Sequence, residues 1–217
     1  MRQQPAAPPD CSARSMPDSQ PDLFGSDAAL PEGFRYQPDL VSPDAERALL
    51  AELAQLPFKP FDFHGWEGKR RIVSFGWRYD YGKRAVAEAE PLPDYLERLR
   101  ATAAAFAALP EAELRQVLVT EYAPGAGIGW HRDKPEFGEV IGISLLSATS
   151  LRFRLARPGG GWQRRALTVA PRSAYLLQGA ARHRWYHSIR PVETLRYSVT
   201  FRRYVANAGR GGVPAPL

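Results

Sequence analysis

The sequence is poor in cysteine and histidine and has no long apolar run. Its single cysteine, Cys11, excludes an intramolecular disulfide and leaves a cysteine-based metal site without ligands. Neither a membrane span nor a charged start followed by an apolar secretory segment is present. We therefore expect a cytoplasmic protein that does not bind a membrane, and no obligate protein partner is evident. Any metal in it should be bound by His, Asp or Glu.

Proline is abundant, but it is concentrated at the start of the chain. Six of the 20 prolines lie in the first 31 of 217 residues, among Ser, Gln, Asp and Ala. This composition predicts a disordered tail over 1–31, because little apolar surface is available for burial. The remaining length suits one domain, which we place at 32–205, followed by a flexible tail at 206–217.

Two helices are predicted ahead of a region of strands. Ser42 followed by Pro43 is typical of a helix start and predicts a helix over about 43–56. A second apolar pattern predicts a helix from Pro93 to about Leu109. Short β-rich runs then follow at 116–122, 140–147, 150–156, 164–169, 173–178, 184–189 and 195–204. The order predicts a mainly β fold with flanking helices (α+β), built on a double-stranded β-helix, or jelly roll.

Between the helices, residues 58–83 interleave aromatic and basic side chains, and they predict a hairpin that forms a substrate lid. Such a mixture can stack on bases and neutralise phosphates, which makes Trp77 and Tyr79 candidates for stacking and Arg70 and Arg71 candidates for phosphate contacts. The alternative is an ordinary hairpin in which Phe75 and Trp77 pack on the sheet.

One short motif has the spacing of metal ligands. His131 and Asp133 are two residues apart, so on an extended strand both side chains point to one face. Either His183 or His187, which are four residues apart, is a possible third ligand, and the spacing does not choose between them. Two histidines and one carboxylate on one face suit a non-haem Fe(II) oxygenase, although a chance occurrence of the motif is the alternative.

The last predicted strand alternates sharply. Tyr197, Val199 and Phe201 share one face, and the other face carries Arg196, Ser198, Thr200 and Arg202. The polar face either meets solvent or lines the barrel, where a buried arginine requires an anion such as a dicarboxylate. Tyr122 is either a core tyrosine or a further hydroxyl group for the same ligand.

Taken together, these motifs resemble the AlkB family of Fe(II)- and 2-oxoglutarate-dependent dioxygenases. The resemblance spans about 115–204 and rests on Thr120-Glu121-Tyr122-Ala123-Pro124-Gly125, His131-Arg132-Asp133, Trp185-Tyr186-His187-Ser188-Ile189 and Arg196-Tyr197-Ser198-Val199-Thr200-Phe201-Arg202. Asp22-Leu23-Phe24 is similar to the family's entry segment.

The resemblance implies a role for each matching residue. The iron ligands would be His131, Asp133 and His187, the last chosen over His183 by its sequence context. Arg196 and Tyr122 would hold the distal carboxylate of 2-oxoglutarate, and Arg202 would lie near the other carboxylate. Thr120 and Ser198 stand where the family often has Asn, and both keep a hydrogen-bonding group. Pro135 stands where members that repair bases can carry an acidic residue.

Three functions follow as hypotheses. With Fe(II) as cofactor and 2-oxoglutarate and O2 as co-substrates, the resemblance implies oxidative dealkylation of N-alkylated DNA or RNA, with release of succinate, CO2 and an aldehyde. A net charge of +6 and a pI near 9.7 favour such a polyanionic partner. The first alternative is the same chemistry on a protein side chain or small molecule, and the second is a non-enzymatic jelly-roll binding module.

Overall fold

The computed structural model describes residues 29–63, 66–80, 85–88 and 90–205. The predictions for Asp22-Leu23-Phe24, for the tail at 206–217 and for all but the end of the tail at 1–31 lie outside the described residues. Within the described part of the chain, no helix is long and apolar enough to cross a membrane.

The two predicted helices are present. Helix α1 (Pro43–Leu53) begins at Ser42, whose hydroxyl accepts a hydrogen bond from the backbone N of Ala45 at 3.2 Å. It ends earlier than predicted, since turns occupy 54–56. Helix α2 (Asp94–Ala107) ends where Ala108 adopts the left-handed conformation, two residues before Pro110. A short third helix, α3 (Gly179–His183), was not predicted.

Twelve strands lie in the part of the chain that the structure describes. In chain order they are β1 (Phe34–Gln37), β2 (Lys59–Phe63), β3 (Trp66–Asp80), β4 (Ala85–Glu88), β5 (Gln116–Tyr122), β6 (Ile128–His131), β7 (Phe137–Leu145), β8 (Thr149–Ala156), β9 (Trp162–Val169), β10 (Ala174–Leu177), β11 (Tyr186–Ile189) and β12 (Arg196–Tyr204). A single turn of 3-10 helix, Glu111–Glu113, precedes β5.

The strands form two sheets. The large sheet has the order β1-β10-β7-β12-β5-β3-β2, with β4 paired to β3, and the small sheet has the order β6-β11-β8-β9. The predicted jelly-roll fold class is confirmed. Each predicted strand run overlaps an observed strand, whereas β1, β4 and β6 were not predicted; each of these three has only four residues, which is too short for a clear alternation.

Residues 58–83 contain a hairpin, as predicted, but the hairpin belongs to the large sheet. Strands β2 and β3 pair antiparallel, and β3 also pairs with β5 from Arg71 opposite Glu121 to Gly76 opposite Gln116. Residues 71–76 are therefore part of the large sheet, and the role of 58–83 as a substrate lid stays a prediction.

Two apolar clusters lie on opposite sides of the large sheet. Helices α1 and α2 cover one face, where Leu53 and Leu96 pack against Val119 and Val199. The other face meets the small sheet, and Phe153 belongs to the cluster between the two sheets. Polar side chains replace apolar ones toward one end of this second interface, and the cavity described next lies there.

Candidate active site

A cavity of about 590 Å³ opens between the two sheets. Both sheets contribute to its wall, which includes Arg70, Gln116, Thr120, Tyr122, His131, Arg132, Asp133, Tyr175, His187, Ser198, Thr200 and Arg202. Its volume is in the range of sites that hold small organic ligands. Four separate sequence motifs therefore meet in one space.

The pairing of β6 with β11 brings two histidines together. His131 lies directly opposite His187 in the antiparallel register, and their ring centroids are 4.2 Å apart. Asp133 follows two residues after His131, and its Oδ2 lies 3.4 Å from Nε2 of His187. One ligand atom from each of the three side chains lies within 4.8 Å of the other two. His183 is exposed on α3, so the structure joins His187, and not His183, to the motif.

Hydrogen bonds orient the carboxylate of Asp133. Arg202 donates from Nε to Oδ1 of Asp133 at 2.8 Å and from Nη1 to Oε1 of Gln116 at 2.7 Å. The other carboxylate oxygen, Oδ2, is buried and has no hydrogen-bond partner among the described residues. An ionised oxygen without a donor is costly in a buried position, and a cation beside it would offset that cost.

The protonation states also suit a metal. Burial lowers the pKa of His187 to about 3, and burial lowers the pKa of His131 as well. Burial alone would raise the pKa of Asp133, but the positive charge of Arg202 and the neighbouring histidines outweigh it and hold that pKa well below its usual value. Near neutral pH the site therefore presents two neutral imidazoles and one carboxylate, which are the forms that bind metals.

Arg196 is the most deeply buried charged side chain of the region. It is fully buried, its Nε donates to Oγ of Ser144 at 3.1 Å, and its guanidinium carbon lies 4.9 Å from the ring centroid of Tyr122. Both Nη atoms are buried and have no hydrogen-bond partner among the described residues. The planar fork of these two nitrogens matches a carboxylate, which would compensate the buried charge.

The inner faces of β5 and β12 provide further polar groups beside this fork. Tyr122 lies opposite Arg196 and Thr120 lies opposite Ser198 in the strand register, and all four side chains are buried. Tyr197, Val199 and Phe201 point instead into the cluster under the helices. Of the two orientations that the sequence left open for the polar face of β12, the structure has the one in which Ser198, Thr200 and Arg202 line the cavity.

Among the predicted substrate residues whose side chains the structure describes, Arg70 lies on the cavity wall, whereas Arg71 and Trp77 do not. Arg70 does line the cavity, with its guanidinium carbon 3.8 Å from the centroid of the Phe61 ring. Arg71 points to the opposite face of β3, where its Nε donates to Oε1 of Glu121 at 2.7 Å. Adjacent residues of a strand point to opposite faces, so the two arginines cannot act as a pair.

The two residues predicted to stack on bases are Trp77 and Tyr79, and the structure describes the side chain of Trp77 alone of the two. Trp77 stacks on Tyr204, with ring centroids 5.1 Å apart, and it is not part of the cavity wall. This position agrees with the alternative interpretation, in which Trp77 packs on the sheet. The side chain of Tyr79 lies outside the described residues.

Sequence reasoning missed one buried arginine near the site. Arg182, on α3, donates hydrogen bonds to the backbone carbonyl oxygens of Lys134, Phe137 and Gly138 at 2.6, 2.6 and 2.8 Å. These bonds fix the segment that follows Asp133. No local pattern in the sequence distinguishes Arg182 from the exposed Arg184, because the acceptors are distant in the chain.

A second omission concerns Tyr175, which lies opposite Gly142 in the pairing of β10 with β7. Its ring lines the cavity, and burial raises the pKa of its hydroxyl group to about 12. A Cβ atom at Gly142 would lie 2.2 Å from the Tyr175 ring, so glycine is needed there for close approach. The sequence around Gly142 reads as an unbroken apolar strand and gives no sign of this contact.

Comparison with known proteins identifies the family of the chain. A family model described as the 2OG-Fe(II) oxygenase superfamily matches residues 33–202. Among relatives, the Alkylated DNA repair protein ALKBH8 homolog of Arabidopsis thaliana is 29% identical over 192 residues, covering 77% of this chain and 53% of the relative. Uncharacterized protein L905 of Acanthamoeba polyphaga mimivirus is 26% identical, covering 80% of this chain and 85% of the viral protein.

Two further comparisons bear on length and fold. The mouse tRNA (carboxymethyluridine(34)-5-O)-methyltransferase ALKBH8 is 27% identical, with 80% of this chain covered, but the chain spans only 27% of it. The solved structure of OsALKBH1 superposes with a TM-score of 0.64 at 14% identity, covering 81% of this chain and 98% of that one. The chain therefore belongs to the 2OG-Fe(II) oxygenase superfamily, whose members use Fe(II), 2-oxoglutarate and O2, and it is AlkB-like.

Proposed function

We propose that this oxygenase oxidatively dealkylates N-alkylated nucleic acid. The assignment of the site rests on one observation: three candidate metal ligands and an arginine whose two Nη atoms lack partners among the described residues both lie between the two sheets. His131, Asp133 and His187 bring three donor atoms within 4.8 Å of one another, and the buried Arg196 fork has no partner among the described residues. The first group suits a divalent metal and the second suits a carboxylate.

The donor set fits Fe(II). Two imidazoles and one carboxylate leave coordination positions for a chelating oxo acid and for dioxygen. When bound, the iron supplies the oxidising chemistry that couples decarboxylation of 2-oxoglutarate to hydroxylation of a substrate C–H bond. Arg202 would hold the carboxylate of Asp133 in its ligating orientation through the bond to Oδ1.

The polar residues of β5 and β12 would bind the co-substrate. Arg196 would donate two parallel hydrogen bonds to the distal carboxylate of 2-oxoglutarate, and the Tyr122 hydroxyl would donate a third. Thr120 and Ser198 would line the same subsite, since they lie two residues further along the paired strands. Arg202 would lie near the carboxylate closer to the metal.

Three features favour a nucleic acid as the prime substrate. A relative with 29% identity is named an alkylated DNA repair protein. The chain carries a net charge of +6. The cavity wall places Arg70 over the Phe61 ring, a pair that can meet a phosphate and the face of a base. Hydroxylation of a carbon bound to nitrogen gives a product that loses the alkyl group as an aldehyde, which restores the unmodified base.

The test is to incubate the Fe(II)-loaded protein with 2-oxoglutarate and a panel of N-methylated single-stranded DNA and RNA oligonucleotides. We expect succinate to form together with loss of one methyl group from at least one oligonucleotide, and neither to occur with His187→Ala. Succinate without demethylation of any oligonucleotide would redirect the search to a protein side chain or small molecule. Failure to form succinate at all, even with iron bound, would contradict the assignment of the site.

A further inference from the structure

The outer face of the small sheet carries a cluster of arginines and aromatic rings directly behind the candidate metal site. Trp130 and Tyr186 immediately precede His131 and His187 in β6 and β11, so strand alternation turns their rings to the opposite face. On the neighbouring strands, β8 contributes arginines and β9 contributes a tryptophan. We call this surface the arginine-ring face; it consists of Trp130, Arg132, Arg152, Arg154, Trp162 and Tyr186.

The guanidinium groups of this face are stacked on the rings. The guanidinium carbon of Arg154 lies 4.7 Å from the ring centroid of Trp130, 4.2 Å from that of Trp162 and 5.4 Å from that of Tyr186. Arg152 lies 5.0 Å from the Trp130 centroid. Such stacking holds a guanidinium plane in place without using its N–H groups, so the arginines are ordered in advance of any ligand.

The positive charge of the face is not balanced. Among the described residues, no carboxylate lies within 4 Å of Arg132, Arg152 or Arg154, although other arginines of the chain form such ion pairs. The Nε atom of Arg154 is buried without a hydrogen-bond partner in the same part of the chain, and Arg152 donates only to Oγ of Ser188, at 3.1 Å. Ordered like charges without counterions favour an anionic ligand with several charges.

Further arginines extend the charge at the edge of the face. Arg164, which is exposed, lies opposite Arg154 in the pairing of β8 with β9. Arg190, also exposed, is close enough for its charge to act on Arg152. Neither residue forms an ion pair within 4 Å with a described carboxylate, so the positive region extends beyond the stacked arginines.

Two residues link this face to the cavity, since both Trp130 and Arg132 also belong to the cavity wall. Arg132 lies between His131 and Asp133 and belongs to the cavity wall, yet its guanidinium carbon lies 4.8 Å from the centroid of the Tyr186 ring. A polyanion that enters the cavity can therefore continue onto the outer face without leaving positive surface.

We propose that the arginine-ring face binds the phosphate backbone of a single-stranded nucleic acid on one side of the nucleotide that enters the cavity. This inference rests on the proposed function. Guanidinium forks bind phosphates through two parallel hydrogen bonds, and the rings between them can stack on bases. An acidic peptide would match the charge, but it carries no bases that could stack against the rings and guanidinium planes of this face.

The test compares oligonucleotide lengths in the full-length protein. Binding of labelled, unmodified single strands of about 4 and about 16 nucleotides is measured by fluorescence anisotropy across a salt series, for the wild type and for the double variant Arg152→Gln with Arg154→Gln. We expect weaker binding of the long strand and a salt slope smaller by about 1.4, because each lost phosphate contact contributes about 0.7. Binding of the short strand should be unchanged.

The control is Arg47→Gln with Arg98→Gln, which removes the same charge from exposed positions on α1 and α2. If the first variant folds poorly, Arg164→Gln with Arg190→Gln removes two exposed charges from the edge of the face and should reduce the slope in the same direction. An unchanged slope in the folded variants, or an equal change in the control, would overturn the proposal. So would wild-type binding of polyglutamate as tight as that of the long strand.

Measuring demethylation beside binding distinguishes a failure of this inference from a failure of the proposed function. Demethylation of a short methylated oligonucleotide, together with an unchanged salt slope for the long one, would leave the oxygenase function intact and overturn only the role of the face. Absence of demethylation for every oligonucleotide, together with an intact slope difference, would support the face as a nucleic-acid surface and count against the proposed substrate.

Discussion

His131 and His187 are direct partners across the antiparallel pair of β6 and β11, with ring centroids 4.2 Å apart and an angle of 60° between the ring planes. The distance between two candidate ligands is thus set by backbone pairing rather than by a flexible loop. Sites carried on strands are held more precisely than sites on loops, so the sheet itself holds these two imidazoles together.

The first prediction concerns the choice of histidine. His187→Ala should abolish succinate formation and weaken Fe(II) binding, because it removes one of three donors that lie within 4.8 Å of one another. His183→Ala is the matched control, since His183 is exposed on α3 and the bond that it accepts from Arg132 goes to its backbone carbonyl, which the substitution keeps. Metal titration and uncoupled succinate formation would measure both. An inactive His183→Ala with an active His187→Ala would reverse the ligand assignment.

The histidines show which part of the metal site could be predicted from the sequence alone. Alternation predicts that His131 and Asp133 share a face. It cannot show which distant strand lies beside them, because the spacing does not choose between His183 and His187. The family resemblance selected His187, and the observed pairing of β6 with β11 gives the physical reason, because it places His187 directly opposite His131. Long-range pairing is what a local pattern does not contain.

The second prediction concerns the buried fork. Arg196→Lys should raise the KM for 2-oxoglutarate roughly 10- to 150-fold, because a bidentate pair is replaced by one point donor and a charged hydrogen bond contributes roughly 1.5 to 3 kcal/mol. Arg203→Lys is the control; Arg203 faces away and bonds to Glu139 and Glu113. Initial rates of succinate formation over a range of 2-oxoglutarate concentrations would measure the effect. Equal changes at the two positions would contradict the proposed subsite.

The third prediction tests the close approach of Tyr175 to Gly142. Gly142→Ala would place a Cβ atom 2.2 Å from the Tyr175 ring, which must move. We expect a loss of about 1 to 3 kcal/mol in the free energy of unfolding, as for other overpacked sites, together with weaker 2-oxoglutarate binding. Gly129→Ala is the control, since no atom lies within 4 Å of a Cβ built there. Urea unfolding and co-substrate titration would decide, and equal stability of the two variants would count against a fixed Tyr175 ring.

The fourth prediction concerns Arg182, which the sequence did not single out. Arg182→Met leaves the carbonyl oxygens of Lys134, Phe137 and Gly138 without their donor, and we expect a loss of about 3 kcal/mol in the free energy of unfolding. Arg184→Met, two residues away and exposed, should change that free energy by less than about 0.5 kcal/mol. Denaturant unfolding of the metal-free proteins measures both. A similar cost for the two substitutions would show that the three hydrogen bonds do not hold the segment after Asp133.

The last prediction separates two neighbouring arginines that the sequence treats alike. Arg70 lines the cavity above Phe61, whereas Arg71 faces the other side of β3 and bonds to the buried Glu121. Arg70→Ala should therefore weaken oligonucleotide binding and reduce the salt slope by about 0.7, the share of one phosphate on a single strand. Arg71→Ala should leave the salt slope unchanged and lower the free energy of unfolding by about 1 to 3 kcal/mol, because Glu121 loses a charged partner in a buried position. Anisotropy across a salt series and denaturant unfolding, performed on both variants, would distinguish the two arginines. Equal slopes for the two variants would remove Arg70 from the substrate site and leave the arginine-ring face as the remaining basic surface next to the cavity.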